Sequence, residues 1–284
     1  MRGASLVRTA LRRFNRFALR HLARPLLEVE LRRPAMVFAP HPDDETLGCG
    51  GTILRKRRTG AAVHLAFLTD GSASHAGLMP RAELTALRVD EALAAAEALG
   101  VPAGDVFLLG LPDGALHAHH EEAVARVTAL LERHRPEQLF LPSIRAEHPD
   151  HVAANAIVHE AVRRWGRVAT LFEYPVWLWR HWPAVPLPGT RAQARAVLVS
   201  SLRAGFGFRL LSEFRTSVPI RDCVDQKRRA LARHASQMRR RDGDPRWWTL
   251  DDVSEGEFLD CFFQEQEVFR RIELVAPRVD PGRR

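Results

Sequence analysis

FAPHPDDETLGCGG, residues 38–51, places one histidine, three consecutive acids and a glycine cluster directly behind the apolar residues AMV (35–37). An apolar run closed by a charged turn reads as a buried strand, ending at Pro40 and giving way to a helix from about Glu45 to Thr59. The same alternation repeats downstream. AVHLAFLTD (62–70), DVFLLGL (105–111), QLFLPS (138–143) and TLFEYPVWLW (170–179) read as further strands, the last as an edge or bulged strand because of Pro175. Helical patterns at 81–100, 119–134 and 150–165 separate them. Strands alternating with amphipathic helices predict βαβ units and a parallel sheet, an α/β fold.

Beyond Arg180 the pattern loosens. Residues 181–212 are rich in proline and glycine and read as an insertion or cap, RTSVPI (215–220) as one more strand, and 222–241 and 254–271 as long helices. A chain of 284 residues with 46% hydrophobic content buries a substantial core, so one large domain with appendages is expected. Cys49, Cys223 and Cys261 form no CxxC pair, which argues against a disulfide framework or thiolate zinc cluster and for a reducing cytoplasm.

The first 33 residues interleave Ala10, Leu11, Phe14, Phe17, Ala18 and Leu22 with Arg8, Arg12, Arg13, Arg16 and Arg20 at helical spacing. This is a basic amphipathic helix, suited to an anionic membrane surface, to its own domain, or to a subunit partner in a homo-oligomer. It has neither the continuous apolar core of a secretory signal nor the roughly 20 apolar residues of a membrane span. The net charge of +8 attracts acidic ligands, nucleic acid or anionic lipid, and equally describes a solvated arginine-rich surface. No specific nucleic-acid module is recognisable.

A second charged cluster, RAEHPDHVAAN (145–155), follows the fourth strand as the first cluster follows the first strand. With strand order 3-2-1-4-5 those two strands are neighbours and flank the switch-point crevice where open α/β sheets bind ligands. The clusters therefore converge. Imidazole and carboxylate suit zinc: His41 and Asp44 supply two ligands from one turn, and either His148 or His151 a third. Asp43 is then free to take a proton, and a second histidine to donate to a developing oxyanion. Gly48, Gly50 and Gly51, with Asp70 some twenty residues on, also suggest a dinucleotide site, but Ile53 occupies the third glycine position and acids occupy the helix N-terminus. The glycines fit better as the means of bringing the helix close to the sheet.

With both clusters in view, PHPDDETLGCGGT (40–52) and HPDH (148–151) resemble the PIG-L/LmbE-like family of metal-dependent N-deacetylases, backed by LRVDEALAAAEALGV (87–101), LGLPDGAL (109–116) and DQKRRALARHASQ (225–237). The resemblance implies a Rossmann-like three-layer αβα fold with a mostly parallel sheet over 34–271, followed by a tail at 272–284. It also implies hydrolysis of an acetamide on an N-acetylglucosamine-type sugar or glycoconjugate, assisted by Zn2+ or another divalent metal such as Fe2+. Carried over by position, His41, Asp44 and His151 are the metal ligands, Asp43 the general base, and His148 the oxyanion stabiliser oriented by Asp150. Arg88, Asp113, Lys227 and His234 are the substrate-side candidates, with Gln237 near them. The tyrosine that some sugar-thiol deacetylases of this family carry two residues before the second-cluster histidine is Ala146 here, which argues against a thiol-precursor substrate. Two alternatives compete: an amidase on a larger acyl group, and a basic nucleic-acid- or lipid-binding protein with a non-catalytic metal site.

Overall fold

The computed structural model describes residues 2–186, 191–203, 205 and 208–274; positions 275–284 of the expected tail, and 187–190, 204, 206 and 207 of the expected cap, lie outside the described residues. Eight strands form one sheet: β1 (Arg24–Pro25), β2 (Ala35–Ala39), β3 (Val63–Thr69), β4 (Val106–Leu111), β5 (Gln138–Pro142), β6 (Ala169–Tyr174), β7 (Thr216–Pro219) and β8 (Gln266–Leu274). Their order is β1-β7-β8-β6-β5-β2-β3-β4. The five strands from β6 to β4 are parallel, in the order the alternating pattern predicts.

Strand β2 is buried at all five positions, as expected of a central parallel strand covered on both faces. Val37 and Phe67 point into one apolar layer, Phe38 and Leu68 into the other. Helices Asp44–Arg58 and Arg81–Ala98 cover the first face, and His120–His134 and Pro149–Trp165 the second, giving three layers. Helix Asp44–Arg58 starts on two acids and ends on four basic residues, which matches its dipole at both ends. It lies tight on the sheet, for a Cβ at Gly48 would stand 2.5 Å from the Tyr174 ring and one at Gly51 would overlap Ile220.

Three expectations need correction. The stretch 254–271 is not a helix: 3-10 turns at Leu250–Gly256 and Leu259–Cys261 lead into β8, which pairs antiparallel with both β6 and β7. Strand β6 is consequently internal rather than an edge, and Pro175 lies just past its end, where no ladder hydrogen bond is lost. The 222–241 stretch is likewise broken, into Val224–Leu231 and Ala235–Met238.

The N-terminal segment also divides. Its helix spans Arg2–Leu22, after which Arg24–Pro25 adds an edge strand beside β7 and Leu31 enters the core, so no break falls at 33/34. The helix packs on the body through Ala18 and Leu19, both buried in the core, rather than through its phenylalanines, which are exposed. Arg8 and Arg12 reach Glu257, and Arg20 pairs with Glu265 at 3.0 Å. Helices Arg191–Arg203 and Phe208–Glu213 occupy part of the expected cap, where Ser200 donates to Glu147 at 2.9 Å. No helix among the described residues is long and apolar enough to cross a membrane.

Candidate active site

Strands β2 and β5 are hydrogen-bonded neighbours, with Ala35 opposite Gln138 and Val37 opposite Phe140. The chain runs outward from β2 through β3 to β4, then returns to β5 and β6 on the other side, so the switch point lies between β2 and β5. His41, Asp43 and Asp44 leave the carboxyl end of β2, and His148, Asp150 and His151 follow that of β5.

The two clusters meet there. Asp44 Oδ2 stands 3.2 Å from His41 Nδ1 and 3.1 Å from His151 Nε2. His41 Nε2 is 3.1 Å from Asp113 and 3.3 Å from Asp150. Ligating atoms of His41, Asp44 and His151 all lie within 4.8 Å of one another, as do those of His41, His148 and Asp150. Burial works against charge on His41, but its hydrogen bonds to the carboxylates of Asp113, Asp150 and Asp44 outweigh it and raise its pKa well above the usual range. Burial works against Asp44 too, yet His151 and His41 keep its carboxyl below the usual range.

Asp43 is buried at the turn with φ of 137°, a conformation that a non-glycine residue adopts only under strain of about 1–3 kcal/mol. Three contacts impose it. Its N–H donates to Glu45 at 2.9 Å, its carbonyl accepts from Leu47 N at 2.9 Å, and Arg88 donates to the preceding carbonyl of Pro42. Burial raises the Asp43 carboxyl to about 7, against the pull of the Arg88 guanidinium 3.7 Å away. Burial, with His41 and His151 adding to it, lowers His148 to about 4, so its imidazole is neutral at neutral pH.

These groups border a cavity of about 300 Å³. His41, Asp43, Arg88, Asp113 and Gln237 form its polar side, and Val176, Trp177, Leu250 and Phe258 an apolar one. Trp177 stacks on His148 with ring centroids 5.7 Å apart and on Phe258 at 5.4 Å, while its indole N–H donates to His151 Nε2 at 3.1 Å. Among the described residues, none from 181–212 lines the cavity.

The PIG-L family profile, described as GlcNAc-PI de-N-acetylase, matches residues 36–162, a span containing both clusters. A 1D-myo-inositol 2-acetamido-2-deoxy-alpha-D-glucopyranoside deacetylase of Rhodococcus opacus is 30% identical over 246 residues, covering 73% of this chain and 82% of the relative. The chain belongs to the PIG-L family. A diacetylchitobiose deacetylase of Thermococcus kodakarensis is 32% identical over 134 residues, covering 46% of this chain and 49% of that one. Among solved structures, the N,N'-diacetylchitobiose deacetylase of Pyrococcus horikoshii superposes with a TM-score of 0.62 over 87% of this chain and 88% of its own, at 20% identity, a likeness of fold.

Of the positions the PIG-L resemblance singles out, Arg88 and Asp113 border the cavity, but Asp113 directs one carboxylate oxygen to His41 and the other to Ala73 N, at 2.8 Å. Lys227 and His234 are fully buried and have no surface to offer a substrate. Lys227 donates to the carbonyls of Leu47 and Phe262 and to Glu267, and His234 bonds Glu45 at 2.8 Å. Glu45 thereby braces the strained turn from behind. The hydrogen bonds of Asp150 go elsewhere than to His148: it accepts from Gly114 N at 2.7 Å and Leu116 N at 3.1 Å and reaches His41, while His148 Nδ1 is buried without a hydrogen-bond partner. Tyr174, the single tyrosine, donates to Phe38 O at 2.7 Å and is fully buried. Asp70 accepts from Ser72 and Asp113 N, which ties loops together and leaves no ribose-binding acid.

Sequence reasoning missed the aromatic wall. Trp177 follows the carboxyl end of β6, next to β5, so its position at the crevice was readable once the strand is stopped at Tyr174. Phe258 carried no such signal, because its segment reads as helix.

Proposed function

We propose that this chain is a metal-dependent N-deacetylase that hydrolyses the acetamide of an N-acetylglucosamine-type sugar or glycoconjugate to acetate and a free amine. The observation that carries this reading is the convergence of His41, Asp44 and His151 beside Asp43 in a sugar-sized cavity. The names of the Rhodococcus and Thermococcus relatives, deacetylases of acetamido sugars, support the same class.

Two imidazoles and a carboxylate whose ligating atoms crowd one point fit zinc, and ferrous iron is the alternative occupant of that donor set. A divalent ion bound there supplies Lewis-acid polarisation of the acetamide carbonyl and makes the attacking water more acidic. The chain's own groups do the rest. Asp43 takes a proton from the attacking water as its oxygen bonds to the acetyl carbon, then returns a proton to the sugar nitrogen as the C–N bond breaks. His148, held against Trp177, donates to the carbonyl oxygen as negative charge develops there. Trp177 and Phe258 offer an apolar face to the sugar's C–H surface.

Incubating the protein with N-acetylglucosamine derivatives that differ in anomeric substituent, and following acetate and free amine, tests the reading. Stoichiometric release of both is expected. The apolar wall of Val176, Trp177, Leu250 and Phe258 also favours a second reading, an amidase for larger acyl groups. Turnover of longer acyl amides with no release from any acetylated sugar would select it.

A further inference from the structure

Helix Arg2–Leu22 contains six arginines and no acid. It docks on its own body through Ala18, Leu19 and the Arg8 and Arg12 side, which leaves part of its apolar stripe uncovered. Val7, Phe14 and Phe17 are 55%, 56% and 61% exposed, and Ala10 lies between them at helical spacing. Arg13 and Arg20 border the stripe, both exposed, with Arg20 paired to Glu265. Beside it runs a surface groove of about 1030 Å³ in which Phe17 and Phe263 are apolar and Arg16, Arg20, Arg221 and Arg228 basic, against the acids Asp260 and Glu265. Arg228 lies over the Phe263 ring at 4.0 Å. The surface thus joins exposed aromatic rings to an excess of guanidinium groups.

We propose that this face docks the protein on an anionic lipid bilayer, with Phe14 and Phe17 entering the headgroup layer and Arg13, Arg20 and the groove arginines meeting lipid phosphates. Charge decides against a second copy of the chain as the occupant. A two-fold contact through the stripe brings the same patch of both copies together, and in that patch Arg13, Arg16, Arg20, Arg221 and Arg228 outnumber the acids Asp260 and Glu265, the latter already paired with Arg20. An anionic bilayer satisfies the rings and the arginines at once. The docked helix also lies close to the cavity along the chain: Glu257, which holds Arg8 and Arg12, precedes Phe258 of the aromatic wall.

The test is co-sedimentation of the full chain with vesicles of phosphatidylcholine alone and of phosphatidylcholine with about 30% phosphatidylglycerol. Binding is expected to the anionic vesicles at least about tenfold above the neutral ones, weakening as salt rises above about 0.15 M. Phe14→Ala with Phe17→Ala should lower binding by at least about tenfold at unchanged melting temperature, since both rings are exposed. Arg13→Gln should weaken binding and reduce its salt dependence. Absence of sedimentation with anionic vesicles overturns the proposal, as does a phenylalanine double variant that binds them undiminished. Light scattering that shows a dimer dissolved by the same double variant, with no vesicle binding, assigns the face to a second copy instead and also overturns it.

Discussion

Lys227→Met separates a structural role from a substrate-binding one. Lys227 is 0% exposed, and its ammonium donates at 2.8 Å to Leu47 O, 2.8 Å to Phe262 O and 2.7 Å to Glu267. Glu267 in turn accepts from Gly51 N, Thr52 N and Thr52 Oγ1, so the pair clamps helix Asp44–Arg58, helix Val224–Leu231 and β8 together. Removing the cation leaves a buried carboxylate without its counter-charge and two carbonyls short of a donor. Breaking a buried pair costs about 3–5 kcal/mol, and the three donors that remain on Glu267 place this case near about 3 kcal/mol. For a domain of this size that lowers the melting temperature by about 6–12 °C. Adding Glu267→Gln to Lys227→Met should cost less than the two single changes summed, by about 1 kcal/mol or more, because the unpaired charge disappears with it. Thermal and urea unfolding, with kinetics on an acetylated sugar, check this. A Lys227→Met protein of unaltered melting temperature whose KM rises tenfold would refute the structural argument and restore the substrate role.

Four further outcomes are expected. Asp43→Asn should lower acetate release by about 10²–10⁴-fold while metal analysis shows the ion retained, because the ligands stay and only the base is lost. Dialysis against a chelator should abolish hydrolysis and lower the melting temperature, and zinc or ferrous iron at about 100-fold over its Kd should restore about 2.7 kcal/mol of stability. Gly51→Val should destabilise the fold by about 1–3 kcal/mol in urea unfolding, since its Cβ already overlaps Ile220. Trp177→Ala should raise KM for the sugar by about tenfold or more and also lower kcat, because the ring both faces the cavity and holds His148, measured by steady-state acetate release.

The part of the fold that was readable is the part built from apolar periodicity. Strands β2 to β6 are short buried runs separated by amphipathic helices, and their order alone brings PHPDD and HPDH together. Strand β8 was not readable, because its inward position 267 is a glutamate and a buried acid breaks the alternation that marks a strand. Its compensating cation is some 40 residues away on Lys227, and no local pattern joins the two. For the N-terminal helix the hydrophobic stripe does not choose between the body, a partner and a membrane; in the structure Glu257 and Asp260 draw Arg8 and Arg12 inward and the rings of Phe14 and Phe17 face outward.

Near the site, residue type alone does not separate chemistry from scaffolding. Asp43 and Glu45 are neighbouring acids, and both are buried beside the cluster of His41, Asp44 and His151. What distinguishes them is where their oxygens face. Glu45 spends its carboxylate on Thr46, on Asp43 N and on His234, all within the protein, and so holds the turn. Asp43 borders the cavity, its oxygen beside Arg88 at 3.7 Å, where substrate and water can reach it. The strained φ of Asp43 is the consequence of the first acid serving the second: Glu45 fixes the backbone N–H so that the Asp43 side chain turns toward the cavity. His234, matched by position to the substrate side, therefore belongs to the same support. Being fully buried, it reaches the cavity only through Glu45 and the turn.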